Sequence, residues 1–278
     1  MPDTATSGRE GGPEGRIDRD RPARSSMTAL AGLAGGFLLT AFIYAMVGFG
    51  GGSTYTALLV LADTDYRLLP AISLACNITV VTGSVAQYAR AGLIPWKRLW
   101  PLIACSVPAA WIGGIIEIPE RAFIGLLATA LLASSVALAF RNPAPPAKAP
   151  RIWPALTPLM GLGIGLLAGL VGIGGGIFLA PLLHLLRWDG AKAIAASAAT
   201  FILANSIAGL AGQAQRIAGS GELADLAGYW PLLPAVLVGG QVGVWLGRRK
   251  MSDTWLARAT ALLVCAVAVR LLWRASVG

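Results

Sequence analysis

Two glycine clusters are the residues of this chain best placed to do chemistry: Val47-Gly48-Phe49-Gly50-Gly51-Gly52 and Val171-Gly172-Ile173-Gly174-Gly175-Gly176. Each interrupts an uncharged run, Ser25 to Ala62 in the first half and Ile152 to Leu186 in the second. Both runs hold roughly 35 residues or more, and about 20 helical residues cross a bilayer core, so neither is one straight span. The simplest arrangement is a spanning helix, a glycine break and a short second helix. Such a helix, starting at about Ser53 or Ile177, presents unpaired N–H groups and a partial positive charge. That is the chemistry of anion recognition without a buried formal charge. Broken backbone at membrane depth is tolerated only where protein buries it or where it lines a cavity. Two breaks at matching positions in two halves point to a transporter's binding site.

Polar residues in the following helices can complete such a site. Ser73, Asn77 and Thr79 follow the first break, and Ser197, Thr200 and Asn205 the second. Hydroxyls and amides donate to oxyanions. With Gly50, Gly51, Gly52, Ser53, Gly174, Gly175, Gly176 and Ile177 they make the candidate substrate-binding set. The bland alternatives are ordinary interhelical hydrogen bonds for the polar residues and close helix packing for the glycines, as expected of Gly239-x-x-x-Gly243-x-x-x-Gly247. Gln87 with Arg90, and Gln213 with Arg216, sit one turn apart at expected helix ends. They would recruit anions at the mouth of a pathway, or simply anchor helix ends by the positive-inside bias.

Absences narrow the chemistry further. All 13 Asp and Glu fall in the N-terminal tail or in connections. A transported cation wants a carboxylate in the span, so an anionic or neutral substrate is favoured. Cys76, Cys105 and Cys265 are far apart in apolar segments and read as buried thiols, with no metal spacing. No Gly-Lys-Ser/Thr follows the first cluster, so it is not a phosphate-binding loop. An intramembrane hydrolase would need a base, and His184 is the sole histidine; it reads as a packed or interfacial residue. No catalytic residue, metal or bound cofactor is expected.

The elements that must position these residues follow from composition. Hydrophobic residues make up 56% of the 278, charged residues 13%, and the mean hydropathy is +0.69. Successive long uncharged stretches predict an all-α integral membrane protein. The net charge of +9 sits mostly in tails and connections, which the positive-inside bias explains without nucleic acid. Partners should be the bilayer and a small anion; the oligomeric state is left open. Residues 1–26 are polar and read as a disordered tail. Its arginines suggest a cytoplasmic N-terminus, ahead of an uncleaved first helix. Membrane repeat 1 covers 27–140, with helices at about 27–47, 53–62, 70–89, 99–117 and 121–140. A Pro-rich linker covers 141–153. Membrane repeat 2 covers 154–275, with helices at about 154–171, 177–186, 191–213, 226–246 and 254–273. Trp96, Trp100, Trp153, Trp188, Trp230 and Trp255 lie near span ends, as an aromatic belt would.

Breaks, Ser73 against Ser197, and the two Gln-x-x-Arg pairs occur in one order, which points to internal duplication. The charge bias favours two tandem repeats of about four spanning helices, each with a re-entrant short helix. The tail, the 90–98 loop, the linker and the 214–225 loop then share the cytoplasmic face, with Arg248-Arg249-Lys250 misplaced outside. An inverted five-plus-five layout stays open. It brings the bias near parity.

On these motifs the chain resembles the sulfite exporter TauE/SafE family of membrane permeases over about residues 28–275. The resemblance rests on the paired glycine segments, the second continuing Ile177-Phe178-Leu179-Ala180-Pro181, on Ala-Gly-Leu-Ile-Pro-Trp-Lys-Arg at 91–98, and on Gly-Gly-Gln-Val-Gly-Val-Trp-Leu-Gly-Arg-Arg at 239–249. It implies a secondary transporter that exports sulfite, sulfonates or related small anions across the bacterial inner membrane. Ala57 stands where the second half has Pro181, so the two half-sites should differ. The alternatives are a permease for another organic anion or neutral metabolite, and the hydrolase.

Overall fold

A computed structural model describes residues 21–46, 48–139, 156–186, 188–218 and 226–250, and all their regular structure is helical. The helices are α1 (Arg21–Met46), α2 (Gly52–Leu61), α3 (Leu69–Arg90), α4 (Trp96–Ile115), α5 (Glu120–Ala139), α6 (Leu156–Val171), α7 (Gly176–Leu185), α8 (Ala191–Ala218) and α9 (Leu232–Lys250). Among the described residues, Leu69–Arg90, Trp96–Ile115 and Lys192–Ala218 are long and apolar enough to cross a membrane. Helix α1 starts six residues before its expected bound, since Pro22 is tolerated in a first helical turn. Helix α8 runs five residues past its expected end, through Gln213 and Arg216. The linker 141–153 and the span at 254–273 lie outside the described residues.

Chain direction follows from contacts. Helix α2 doubles back along α1: Phe37 stacks on Tyr55 at 4.6 Å between ring centroids, and Gly36 packs against Leu58 while Thr40 packs against Gly51. Gly48 lies against Tyr88, near the end of α3, whereas Gly50 and Gly52 lie against Asn77. So α1 runs parallel to α3, and the break climbs back beside α3 by at most about 14 Å between Gly48 and Gly52, the reach of an extended chain. Arg67, before α3, pairs with Glu117 at 3.2 Å, after α4. Arg98, at the start of α4, pairs with Asp189 at 3.2 Å, between α7 and α8.

Small residues then lock helices together. Gly161, Gly165 and Gly169 of α6 meet the carbonyls of Leu102, Ser106 and Ala110 on α4. Gly239 and Gly243 of α9 meet those of Leu38 and Phe42 on α1. Both sets step by four on each partner, so each pair is parallel. In lipid such backbone approach replaces the hydrophobic drive as the source of helix association. Since α4 runs opposite to α3, α6 runs opposite to α1.

These directions correct the expected sidedness. The start of α1 and the 62–68 loop share one face, and the 91–95 loop lies on the other. The re-entrant layout required the start of α1 and the 91–95 loop to be together. Expectation and structure diverge because α2 runs back along α1 toward the face from which α1 starts. The tryptophans divide as well. Trp96, Trp100 and Trp230 are exposed, at 53%, 64% and 67%, as a belt requires, but Trp188 is buried and its carbonyl accepts from Arg98. Trp153 and Trp255 lie outside the described residues.

Candidate functional site

The two breaks meet at the centre of the fold. In the first, Gly48 and Gly51 take φ of +87° and +90°; in the second, Gly172, Gly174 and Gly175 take +75°, +78° and +80°. A side chain is strained in that region, so glycine is demanded there. Helices α2 and α7 begin directly afterwards, at Gly52 and Gly176, one residue before the expected Ser53 and Ile177. Gly51 O receives the N–H groups of Thr54 and Tyr55, and Gly175 O those of Phe178 and Leu179. The N–H groups of Gly52 and Ser53, and of Gly176 and Ile177, precede any intrahelical partner.

Asn77 of α3 joins the breaks. Its side chain packs on Gly50 and Gly52, and its Nδ2 donates to Ile173 O across the halves at 3.1 Å. A Cβ on Gly174 would lie 3.1 Å from the same nitrogen. Any side chain at Gly50 or Gly52 would displace this amide. Ser73 Oγ donates to Gly52 O at 2.8 Å, pinning the start of α2 to α3.

Beside Asn77 lies a cavity of about 20 Å³, enough for one or two water molecules. Tyr44, Phe49, Gly50, Gly51, Gly52 and Ser53 of the first half line it together with Ile173, Ile177, Pro181 and Ile202 of the second. Tyr44 and Thr54 share a hydrogen bond between hydroxyls at 2.9 Å. A substrate larger than water requires the walls to part.

The candidate residues do not all converge. The glycines, Ser53, Ile177, Ser73 and Asn77 come together at the breaks. Thr79, Ser197, Thr200 and Asn205 instead donate to their own helix, to the carbonyls of Ala75, Ala193, Ala196 and Phe201. Gln213 is buried and donates to Gly169 O at 3.1 Å; Arg216 donates to Gln213 and to Arg67 O at 2.7 and 2.6 Å. These two serve as interhelical ties. Arg90 is exposed and Gln87 half-buried at the end of α3. The side chain of His184 lies outside the described residues.

Residues with no signal in the expected pattern also reach the site. Tyr44 lines the cavity, Tyr55 packs against Gly51, and Ser206 packs against Gly174. Ser206 Oγ, Tyr55 OH and Asn77 Oδ1 are buried without a hydrogen-bond partner. The hydroxyl run Ser53-Thr54-Tyr55-Thr56 in so apolar a chain was the available clue.

Comparison with known proteins gives a concordant picture. A family model described as sulfite exporter TauE/SafE matches residues 30–271. A "Probable membrane transporter protein y4hK" from Sinorhizobium fredii (strain NBRC 101917 / NGR234) is 32% identical over 250 residues, covering 88% of this chain and 99% of that protein. No solved structure matches.

Proposed function

The chain belongs to the sulfite exporter TauE/SafE family, a family of membrane transporters, and from that premise we propose that it exports a small sulfur-containing anion, such as sulfite or a sulfonate, across the inner membrane. The observation that carries this reading is the cavity at the N-terminus of α2, lined by Gly52 and Ser53, whose N–H groups precede any intrahelical acceptor. Donors at a helix start stabilise negative charge without a buried cation. The candidate set is then refined to Gly50, Gly51, Gly52, Ser53, Ser73 and Asn77, with Gly174, Gly175, Gly176 and Ile177. Exposed Arg90 is the residue left for the mouth.

We further read the fold as two inverted repeats, with α1 to α5 in one and α6 onward in the other. The direction of α6 against α1, and the exchange of partners by which α9 packs on α1 and α6 on α4, support it. Inverted halves allow alternating access by rocking about a central site. Orientation then rests on charge. Arg90, Lys97, Arg98, Lys192 and Arg248-Arg249-Lys250 lie on the face of the 91–95 loop. The tail's arginines at 9, 16, 19, 21 and 24 alternate with Asp3, Glu10, Glu14, Asp18 and Asp20. We place the basic 91–95 face in the cytoplasm and the N-terminus outside, reversing the orientation expected from the tail alone.

Flux into proteoliposomes tests the function. Labelled sulfite, sulfonates, sulfate and carboxylates should be compared, and a sulfur oxyanion should move fastest. Transport restricted to carboxylates or neutral metabolites would favour the alternative permease, and cleavage without movement would favour the hydrolase.

A further inference from the structure

The helices pack into two groups that do not follow the order of the chain. Helix α4 is locked to α6 and α8: Gly113 meets the carbonyl of Leu166, Gly114 that of Gly209, and Gly212 that of Trp111. Helix α7 stands with them, since Gly175 packs on Ile164, Ala168 and Phe201. Helix α9 is locked to α1 and meets α3, where Gly83 touches Gln241 and Gly240 touches Val80. Helix α2 belongs with α1 and α3 through Phe37 and Ser73. Between the groups α3 faces α8, and there Gly209 meets the end of the Leu74 side chain. Backbone approach within each group, and side-chain contact between them, make this seam the place where the bundle can shear.

The seam is closed differently at its two ends. Gly48 and Gly172 hold matched positions in the two breaks, both with positive φ. Gly48, toward the 91–95 face, is covered by the tip of Tyr88, a half-buried side chain of its own group. Gly172, toward the 62–68 face, is covered by the backbone of Pro70 from the opposite group. Arg67 reaches across at the same end. Its Nε pairs with Glu117, just past α4, at 3.2 Å, and its carbonyl accepts from Arg216 of α8 at 2.6 Å. The pair Arg98–Asp189, on the other face, stays within the α4–α6–α8 group.

Resting on the alternating-access reading above, we propose that Arg67 is the latch that holds the 62–68 end of the seam shut during the transport cycle. A latch has to hold and also to release. The Arg67 and Glu117 side chains are 45% and 51% exposed. An exposed pair contributes little, and water takes over both charges when it parts. A fully buried pair would instead strand them. The Nε of Arg216 is buried without a hydrogen-bond partner in the closed seam, so opening supplies the acceptor it lacks.

The test is the rate at which a charged methanethiosulfonate reagent labels Pro70→Cys. The full-length protein is held in nanodiscs, in a background lacking Cys76, Cys105 and Cys265. Pro70 is buried at the seam, and the N–H gained by its replacement falls in a first helical turn, where donors have no intrahelical partner anyway. The labelling rate follows the fraction of molecules open at that end. In Arg67→Gln and in Glu117→Gln it should rise roughly two- to fivefold. The exchanged pair, Arg67→Glu with Glu117→Arg, should bring it back to the unaltered rate. Arg98→Gln should leave it unchanged. Labelling that is measurable in the unaltered protein but no faster in either single variant overturns the latch and leaves alternating access standing. Faster labelling without recovery in the exchanged pair assigns the effect to lost packing and overturns the latch as well. A Pro70→Cys thiol that stays unreactive in every variant, while Asp63→Cys on the exposed loop reacts promptly, overturns alternating access about this seam and the latch with it. Leu69→Cys, in the same apolar cluster as Val171 and Ile217, is the second reporter where Pro70→Cys lowers the yield of folded protein. No transported substrate enters the measurement, so its outcome is independent of which anion is moved.

Discussion

At Gly51 the backbone holds φ at +90° beside Thr40 and Tyr55, and at Gly175 it holds +80° beside Phe201 and Ile164. A β-branched residue in that region is strained by roughly 1–2 kcal/mol before any clash is counted. Gly51→Val and Gly175→Val should therefore insert in the membrane but lose transport and substrate-dependent thermal stabilisation. Retained binding at unchanged affinity would show that these glycines only pack. Asn77 makes a second residue-scale case. Asn77→Ala leaves Ile173 O without its donor, an omission that costs about 1–3 kcal/mol when buried. It also opens space between Gly50, Gly52 and Gly174. The variant should melt at a lower temperature in detergent and transport poorly, whereas Thr79→Ala, which removes only a bond to its own helix, should do neither.

Helices in this fold are held by glycine faces, and at this scale the prediction concerns packing. A Cβ on Gly169 would strike the Ala110 carbonyl, and one on Gly243 would strike that of Phe42. Gly169→Leu and Gly243→Leu should force α6 from α4 and α9 from α1, lowering the yield of folded protein. Gly163 lies on the same helix as Gly169 with nothing within 4 Å of its Cβ position. Gly163→Ala should leave yield and transport unchanged, and the measurement is fluorescence-detected size exclusion of the three variants. Equal yields would mean that the glycine faces do not hold the bundle.

The whole molecule makes a claim about sides. Asp63 sits with the start of α1, and Gly92 sits on the opposite face. In a background lacking Cys76, Cys105 and Cys265, a cysteine at Asp63 should react with an impermeant reagent in intact cells. A cysteine at Gly92 should react only after lysis. Labelling of both from one side would reject the inverted arrangement; a swap of the two results would keep the arrangement and reverse its orientation in the membrane.

Much of this was legible before any coordinates. The bounds of α2 and α7 followed within a residue from where glycines end an uncharged run, because helix breaking is local and apolar length is set by the bilayer. Membership in a transporter family followed from the duplicated motif. Only the tertiary structure decided which polar residues serve the breaks. Ser73 and Asn77 reach them, while Ser197, Thr200 and Asn205 bond to their own helix. Residue type states that a group can donate, but which carbonyl it meets depends on the rotation of one helix against another. Sidedness was likewise hidden. The short helix expected to be re-entrant instead runs back along α1, and nothing in Val47 to Gly52 states that direction. The contrast between Ser53 and Ile177 was written in the sequence from the start. That they share one cavity was decided by Asn77, which ties residues 96 positions apart.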